Sequence, residues 1–350
     1  MQYTMKILCK GDIMEIRHSV YKEVELLKGV KPSMAFNPEN ESLSQWQEKA
    51  GEKLKELICI PRVPCDSLFE IEYETEHPSF YEYRFTFQSE EGEFVPCHLW
   101  IPKKSDKEKR PVMICLQGHS TGMHISMARP KFEGDESTCN DGDRDLMVQC
   151  IEKGLCCVAV EQRCFGERGG TPRPDCYVAS MTALLSGRTI LGGRVWDIMK
   201  LIDILEEKFS DKVDTDRIYC MGNSGGGTAT FYSTALDKRI KAAIPSCAFA
   251  TFSGSIGAMY HCACNYVPSI SKYFDMAEIA GLTAPRPLVI VSGKEDDIFP
   301  LDTAEHEFSR LSEIYYKNSE SPDNCIHVKG DGGHRFYSEP AFKAFFSLVR

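Results

Sequence analysis

From about residue 110 onward, the chain alternates short, continuously apolar runs with longer amphipathic stretches. In the stretch 194–209, for example, Val195, Ile198 and Ile202 fall on one face of a predicted helix. Runs that are apolar on both faces and separated by helices are typical of a mostly parallel sheet with helices on both sides. The pattern therefore predicts an α/β fold with about eight strands. The core strands are predicted in the runs VMICL, LCCVAV, RIYCMG, IKAAIPS, RPLVIVSG and NCIHVKG.

Two regions fall outside this alternation. Residues 1–75 are predicted to form an N-terminal extension with a helix over 44–58, and residues 76–350 form the main domain. The main domain opens with period-two alternation on both sides of Glu91-Gly92, which predicts an antiparallel hairpin at the sheet edge. Residues 248–284 follow the sixth predicted strand and are too long for a simple connection, so we expect a lid or a pocket wall there.

Charge and hydropathy narrow the set of partners. The net charge of −10 is spread along the chain without a basic block, so nucleic acid is not an expected partner. No apolar stretch approaches the roughly 20 residues that span a bilayer, and the N-terminal segment meets charged residues too early for a signal peptide. We therefore expect a cytoplasmic protein with a small-molecule substrate and no membrane partner. The sequence leaves homo-oligomer formation open.

The chain contains sixteen cysteines, and several of them lie inside apolar runs, as expected for buried thiols in a reducing compartment. His261, Cys262 and Cys264 form a cluster of soft metal ligands. Zinc sites usually contain a second pair of ligands at similar spacing, and no such pair is visible in the sequence. We therefore predict neither a metal nor another cofactor.

The segment GNSGG places Ser224 between Gly222 and Gly226, where a predicted strand turns into a predicted helix. Glycines on both sides let the backbone approach itself closely in such a turn. The N–H groups at the start of the helix point toward the serine and suit a developing oxyanion. The alternative interpretation is a chance pattern or an anion-binding turn.

A nucleophilic serine needs a base, and the base needs a carboxylate that orients it. His334, in the glycine-rich segment GDGGH after the last predicted strand, is the candidate base; a surface loop histidine is the alternative. The loop after the preceding strand offers three carboxylates, namely Glu295, Asp296 and Asp297. The candidates follow in the order serine, acid, histidine.

These segments resemble the α/β-hydrolase superfamily over about residues 80–350. The loop 293–300, here called the acid loop, is similar to the superfamily pattern Gly-x-x-Asp-x-x-x-Pro. In this pattern Gly293 and Pro300 frame Asp296, so the resemblance favours Asp296 as the catalytic acid. The hairpin and the motifs QGHS, EQRCFGER, GRVWD and LTAPRPLVIVSG resemble bacterial esterases of the dienelactone-hydrolase-like and acetyl-xylan-esterase-like (cephalosporin-C deacetylase-like) groups. One departure is Gln117, where those esterases often have histidine.

The resemblance implies a serine carboxylic-ester hydrolase that forms an acyl-serine and removes short acyl groups, such as acetyl, from a carbohydrate or another small polar alcohol. It implies an oxyanion hole made by the backbone N–H groups of Gly225 and His119. Tyr260, His261 and Tyr266 in the insertion suit a substrate-binding wall, although a purely structural lid fits equally well. Two rivals are a peptidase or amidase of prolyl-oligopeptidase type and a ligand-binding homologue without turnover.

The segment EQRCFGER and the Trp196-Asp197 pair allow structural interpretations. Glu161, Arg163 and neighbouring charges follow a predicted core strand, where they could pin loops or bind a polar substrate; a structural ion-pair network is the favoured interpretation. Trp196 and Asp197 are expected to pack against or cap the helix that contains them.

Overall fold

The protein, described here as a computed structural model, contains a nine-stranded mixed sheet and a separate two-stranded hairpin. The structure describes residues 5–9, 12–16, 19–103, 108–170 and 175–349. The strands are β1 (Met5–Cys9), β2 (Asp12–Ile16), β3 (Glu70–Glu76), β4 (Phe80–Glu90), β5 (Glu93–Pro102), β6 (Pro111–Leu116), β7 (Cys156–Val160), β8 (Asp214–Asn223), β9 (Ile240–Ser246), β10 (Leu288–Gly293) and β11 (Cys325–Gly330).

Helices cover both faces of the large sheet. Helix α10 continues into a π-helical segment over Leu311–Tyr316. No helix in the described parts of the chain is both long enough and apolar enough to cross a membrane. The helices are α1 (Ser19–Lys28), α2 (Leu43–Ile58), α3 (Asp135–Asn140), α4 (Leu146–Glu152), α5 (Tyr177–Leu185), α6 (Ile190–Lys208), α7 (Gly225–Leu236), α8 (Ile270–Tyr273), α9 (Met276–Gly281), α10 (Leu301–Arg310) and α11 (Ser338–Leu348).

The sheet has the strand order β11-β10-β9-β8-β6-β7-β5-β4-β3. Neighbouring strands from β6 to β11 pair in parallel, whereas β5, β4 and β3 join the β7 edge by antiparallel pairing. The prediction of a mostly parallel sheet with an antiparallel hairpin at its edge is confirmed. Because parallel strands share one carboxyl edge, the loops after β6, β8, β10 and β11 meet at the same side of the molecule.

Side chains on each strand alternate between two apolar layers. Val112 and Ile114 of β6 pack in the layer that contains Ile198 of α6, and Met113 and Cys115 pack in the layer that contains α4 and α11. All four strand residues are fully buried. Burial on both faces explains why the core strands appear as continuous apolar runs in the sequence.

The N-terminal region packs against the same body. Helix α2 begins at a capping box on Ser42, and its Trp46 lies 4.9 Å from the ring of Tyr315 in a fully buried aromatic contact. Strand β3, in which glutamates alternate with isoleucine, tyrosine and threonine, adds an edge strand that the sequence analysis did not predict. Because of β3, the insertion 248–284 follows the seventh strand of the sheet in chain order, and not the sixth.

Candidate active site

Ser224 lies in a strained turn between strand β8 and helix α7. Its backbone angles are φ 55° and ψ −123°, a conformation that L-residues rarely adopt. Its N–H donates to the carbonyl of Ser246 over 2.8 Å. A Cβ on Gly226 would lie 2.0 Å from the Leu116 carbonyl oxygen, and a Cβ on Gly222 would lie 2.5 Å from the Gly226 carbonyl carbon. Both glycines are therefore required for the close approach that the sequence pattern predicts.

Two backbone segments, at Gly225 and at Gly118–His119, lie next to this serine. Gly225 is the first residue of α7, so its N–H has no partner within the helix. Gly118 packs so closely that a Cβ there would lie 3.1 Å from Ser224 Cβ, which brings the Gly118–His119 backbone beside the serine. Among the described residues, no hydrogen bond uses the backbone N–H of Gly225 or His119. These two groups remain the predicted oxyanion donors.

His334 and Asp296 lie on the loops after β11 and β10. The imidazole Nδ1 lies 2.8 Å from Asp296 Oδ2, while Oδ1 accepts the N–H groups of Ile298 and Phe299. Burial alone would raise the pKa of the Asp296 carboxyl, but the His334 hydrogen bond and the backbone donors hold it below its ordinary value. Asp296 is buried, whereas Asp297 is exposed. The geometry therefore favours Asp296 as the partner of His334.

Ser224 and His334 line the same small pocket, of about 50 Å³. No hydrogen bond joins their side chains in the described structure; such contacts are often long without substrate and shorten in the complex. The Phe299 ring stacks 6.1 Å from the imidazole of His334 and holds it against the acid loop. The structure thus brings the three predicted loops together at one edge of the sheet.

Cys247 is a second residue near this site whose side chain could act as a nucleophile. Its side chain lies with Asp296 and His334 in a group whose polar atoms are within 4.8 Å of one another, and its thiol donates to the Arg335 carbonyl. Burial, followed by the neighbouring Asp296 carboxylate, raises the pKa of the Cys247 thiol to about 12. Because only a thiolate is a strong nucleophile, Cys247 is unsuited to attack a substrate.

A much larger cleft of about 1010 Å³ adjoins the small pocket, and His119, Ser120 and Arg144 line both spaces. The three predicted wall residues line the cleft. Tyr260 is 97% exposed, the Tyr266 hydroxyl donates to the Ile256 carbonyl, and the ring of His261 lies 3.1 Å from the Ser255 hydroxyl. The insertion therefore forms one wall of the cleft, with Tyr260 as the side chain most available to a ligand.

Arg144 is a site residue that sequence reasoning missed. Its guanidinium donates to the His334 carbonyl over 3.3 Å, and its buried Nε has no partner. No described carboxylate pairs with it, and burial lowers the pKa of its guanidinium. The signal in the sequence was weak, because the segment DGDRD shows a cation among acids that could have neutralised it.

The charged segment after β7 is mainly a structural network. Asp197 accepts hydrogen bonds from Arg163 and Arg168 at 2.7–2.9 Å, and Arg168 also pairs with Glu93. Burial would raise the pKa of Asp197, but the Arg168 and Arg163 guanidiniums hold it well below its usual range. Asp197 is thus the buried centre of an ion-pair network rather than the expected cap, and the network anchors the loop after β7 to α6.

Gln117 has a defined structural role. Its side-chain amide donates to Glu161 over 2.9 Å, and Gln162 donates to the Gln117 carbonyl. Glu161 also accepts the backbone N–H of Met123, farther along the same loop. Burial raises the pKa of Glu161 to about 7. Gln117 and Glu161 therefore fix the loop that carries Gly118 and His119.

The cysteine cluster has a different composition from the one considered in the sequence. His261 does not join it, and the side chains that approach Cys262 and Cys264 are those of His119 and Cys176. These two residues precede Cys262 by many positions in the chain, so no spacing rule could associate them. All fifteen cysteines whose side chains are described are free thiols.

Sequence comparison agrees with this architecture. Residues 10–179 match the sequence model of a family described as "Abhydrolase family", and residues 191–344 match that of the prolyl oligopeptidase family. The chain is thus similar to α/β hydrolases over both of these segments. It is also 27% identical over 227 residues to "Putative hydrolase YtaP" of Bacillus subtilis (strain 168), a match that covers 64% of this chain and 72% of that protein.

Solved structures with the same fold include several bacterial esterases. A "putative acetyl xylan esterase" from Bacteroides fragilis aligns with a TM-score of 0.74 and 17% identity, over 96% of this chain and 86% of its own. A glucuronoyl esterase from Solibacter usitatus aligns with a TM-score of 0.68 and 14% identity, over 92% and 98%. A methylesterase aligns with a TM-score of 0.61 and 22% identity, over 95% and 67%. The chain thus shares its fold with these esterases.

The close backbone contact of Gly226 with Leu116, in the turn around Ser224, leads to a prediction about stability. Replacing Gly226 by alanine should reduce the free energy of unfolding by more than about 3 kcal/mol, the upper end for an overpacked site, because the clash is with backbone. The control is Gly51→Ala in α2, where a Cβ meets nothing within 4 Å. We expect it to stabilise by roughly 0.5–1 kcal/mol. Urea denaturation measures both changes, and equal stability of the two variants would contradict the packing argument.

Proposed function

We propose that the protein is a serine carboxylic-ester hydrolase in which Ser224, His334 and Asp296 form the catalytic triad. The observation that supports this most directly is the 2.8 Å hydrogen bond between His334 Nδ1 and buried Asp296, beside the pocket that Ser224 lines. With Nδ1 donating to the carboxylate, Nε2 is the unprotonated nitrogen that can accept a proton. The strained turn presents the Ser224 hydroxyl to that pocket.

The reaction proceeds in two halves. His334 takes the proton of the Ser224 hydroxyl as the oxygen attacks the ester carbonyl, and the carbonyl oxygen becomes an oxyanion bound by the N–H groups of Gly225 and His119. When this intermediate collapses, the bond to the alcohol breaks and His334 returns the proton to the leaving oxygen. Water then attacks the acyl-serine with the same assistance and releases the acid.

The two adjoining spaces support a small acyl group on a larger alcohol. The pocket at Ser224 holds about 50 Å³, whereas the cleft beyond it holds about 1010 Å³. A short acyl group such as acetyl suits the first space, and a carbohydrate suits the second, whose wall includes the exposed ring of Tyr260. Removal of acetyl groups from a carbohydrate or another small polar alcohol is therefore the first candidate activity.

The unpaired cation of Arg144 favours a second candidate, an ester of a partly esterified acidic oligosaccharide whose remaining sugars carry free carboxylates. Arg144 borders both the small pocket and the cleft, and a half-buried guanidinium gains strongly from a carboxylate partner. The structurally similar proteins named as glucuronoyl esterase and methylesterase support this choice of substrate class. A peptidase remains the rival that the prolyl oligopeptidase match suggests for residues 191–344.

Replacing the nucleophile tests the activity itself. Ser224→Ala should lower turnover of p-nitrophenyl acetate by about 10⁶-fold, because the acyl-serine can no longer form. A fluorophosphonate probe should label the wild-type protein at residue 224 and leave the variant unlabelled. Retained turnover in the variant would overturn the proposal. An unlabelled and inactive wild-type protein would instead support the ligand-binding homologue, and preferential cleavage of aminoacyl anilides would support the peptidase.

The two neighbouring aspartates provide a matched test of the acid. Asp296→Asn should lower kcat on the order of 10⁴-fold, because the amide cannot hold the imidazole in its working tautomer. Asp297→Asn changes an exposed carboxylate one residue away and should leave kcat nearly unchanged. Circular dichroism confirms that both variants are folded. A larger loss in the Asp297 variant would reassign the acid.

Arg144 decides between the two substrate classes. We expect Arg144→Gln to lower kcat/KM for partially methyl-esterified oligogalacturonides, whose unesterified units carry carboxylates, about 10-fold more than for acetylated xylo-oligosaccharides, since a hydrogen bond to a charged group contributes about 1.5–3 kcal/mol. The control Arg335→Gln removes a guanidinium that Asp143 already neutralises. Equal losses on both substrates in the Arg144 variant would exclude the acidic-sugar preference and leave the acetyl esterase as the proposed activity.

A further inference from the structure

Four metal-ligating side chains from separate parts of the chain meet beside the oxyanion loop. They are His119 from the loop after β6, Cys176 just before α5, and Cys262 and Cys264 from the insertion 248–284. One ligand atom of each residue lies within 4.8 Å of the corresponding atom of every other. Cys176 and Cys264 are buried, and His119 and Cys262 are half-buried. The triad uses none of these four side chains.

The spacing of these atoms is close to that of a tetrahedral metal centre. His119 Nε2 lies 3.1 Å from Cys264 Sγ, and the sulfurs of Cys264 and Cys262 are 3.4 Å apart. Zinc–sulfur bonds of about 2.3 Å and zinc–nitrogen bonds of about 2.0 Å place tetrahedral ligands roughly 3.5–3.8 Å from one another. Small outward movements of the side chains would therefore create room for an ion at the centre of the group.

The charges around these four side chains also favour a bound metal ion with deprotonated thiols. Arg194, only 1% exposed, directs its guanidinium at Cys264 Sγ over 3.3 Å and at Cys176 Sγ over 3.5 Å. Its other hydrogen bonds are to the Arg163 carbonyl, and no carboxylate of the described chain pairs with it. A buried cation needs compensating charge. Three thiolates and one neutral imidazole around Zn²⁺ carry a net charge of −1, which the Arg194 guanidinium balances.

We propose that His119, Cys176, Cys262 and Cys264 bind one structural Zn²⁺ ion, with Arg194 donating hydrogen bonds to two of the thiolates. All four positions of the tetrahedron are filled by protein, as in structural zinc sites, so the ion has no open position for a substrate. The site links three loops that border the cleft. One of them carries His119, whose imidazole packs so closely on Gly225 that a Cβ there would lie 2.7 Å from its Cε1.

The metal content of the purified full-length chain tests this site directly. Protein produced in zinc-supplemented medium and dialysed against metal-free buffer should retain about one zinc ion per chain, measured by plasma mass spectrometry. Cys264→Ser should lose this zinc. The control Cys65→Ser removes a half-buried thiol outside the group and should retain it. Absence of zinc in the wild-type protein, or equal zinc in both variants, would overturn the proposal.

A second measurement uses only the wild-type protein and so does not depend on the folding of a variant. After chelation under reducing conditions, addition of Co²⁺ should produce thiolate-to-cobalt charge-transfer absorption that saturates at one equivalent and disappears when Zn²⁺ is added. A titration without this absorption would overturn the site. A disulfide among Cys176, Cys262 and Cys264, detected by mass spectrometry of the protein as purified, would do the same. None of these readouts depends on esterase activity.

Discussion

The arrangement of the candidate site depends on one close backbone contact. Helix α7 can start directly at the end of β8 only because Gly226 touches the Leu116 carbonyl of the adjacent strand without a side chain between them. That approach forces Ser224 into its positive φ and projects its hydroxyl beyond the sheet edge. It also places the Gly225 N–H beside the serine. A local conformational cost is thus offset by the surrounding sheet, whose strands are apolar and buried on both faces.

The remaining parts of the site are positioned at the same carboxyl edge of the sheet. The acid loop and the loop that carries His334 follow neighbouring parallel strands, and backbone hydrogen bonds join them. The Lys294 N–H donates to the Gly330 carbonyl, and the Glu295 N–H donates to the Gly332 carbonyl. Asp296 and His334 therefore lie on two loops that are hydrogen-bonded to each other. On the other side of Ser224, Glu161 and Gln117 hold the loop that carries Gly118 and His119. Preorganised donors of this kind are what electrostatic catalysis requires.

Much of this could be predicted from the sequence because the signals were local. Gly222, Ser224 and Gly226 lie within one turn, and a continuously apolar strand is recognisable from its own residues. Strand β3 was missed because its EIEYETE pattern is almost entirely exposed and strongly acidic. Arg144 and the group around Cys264 were missed for another reason. Their significance comes from neighbours that are brought together only by tertiary structure, such as Cys176 beside Cys264.

The backbone hydrogen bond from Ser224 to Ser246 ties Ser224 to strand β9 rather than to the insertion that begins two residues later. Ser224 is therefore held by a core strand, whereas Tyr260 on the wall of the cleft is 97% exposed. An exposed wall residue such as Tyr260 can be exchanged during evolution without moving Ser224, so the side chains that face the cleft can diversify around an unchanged turn.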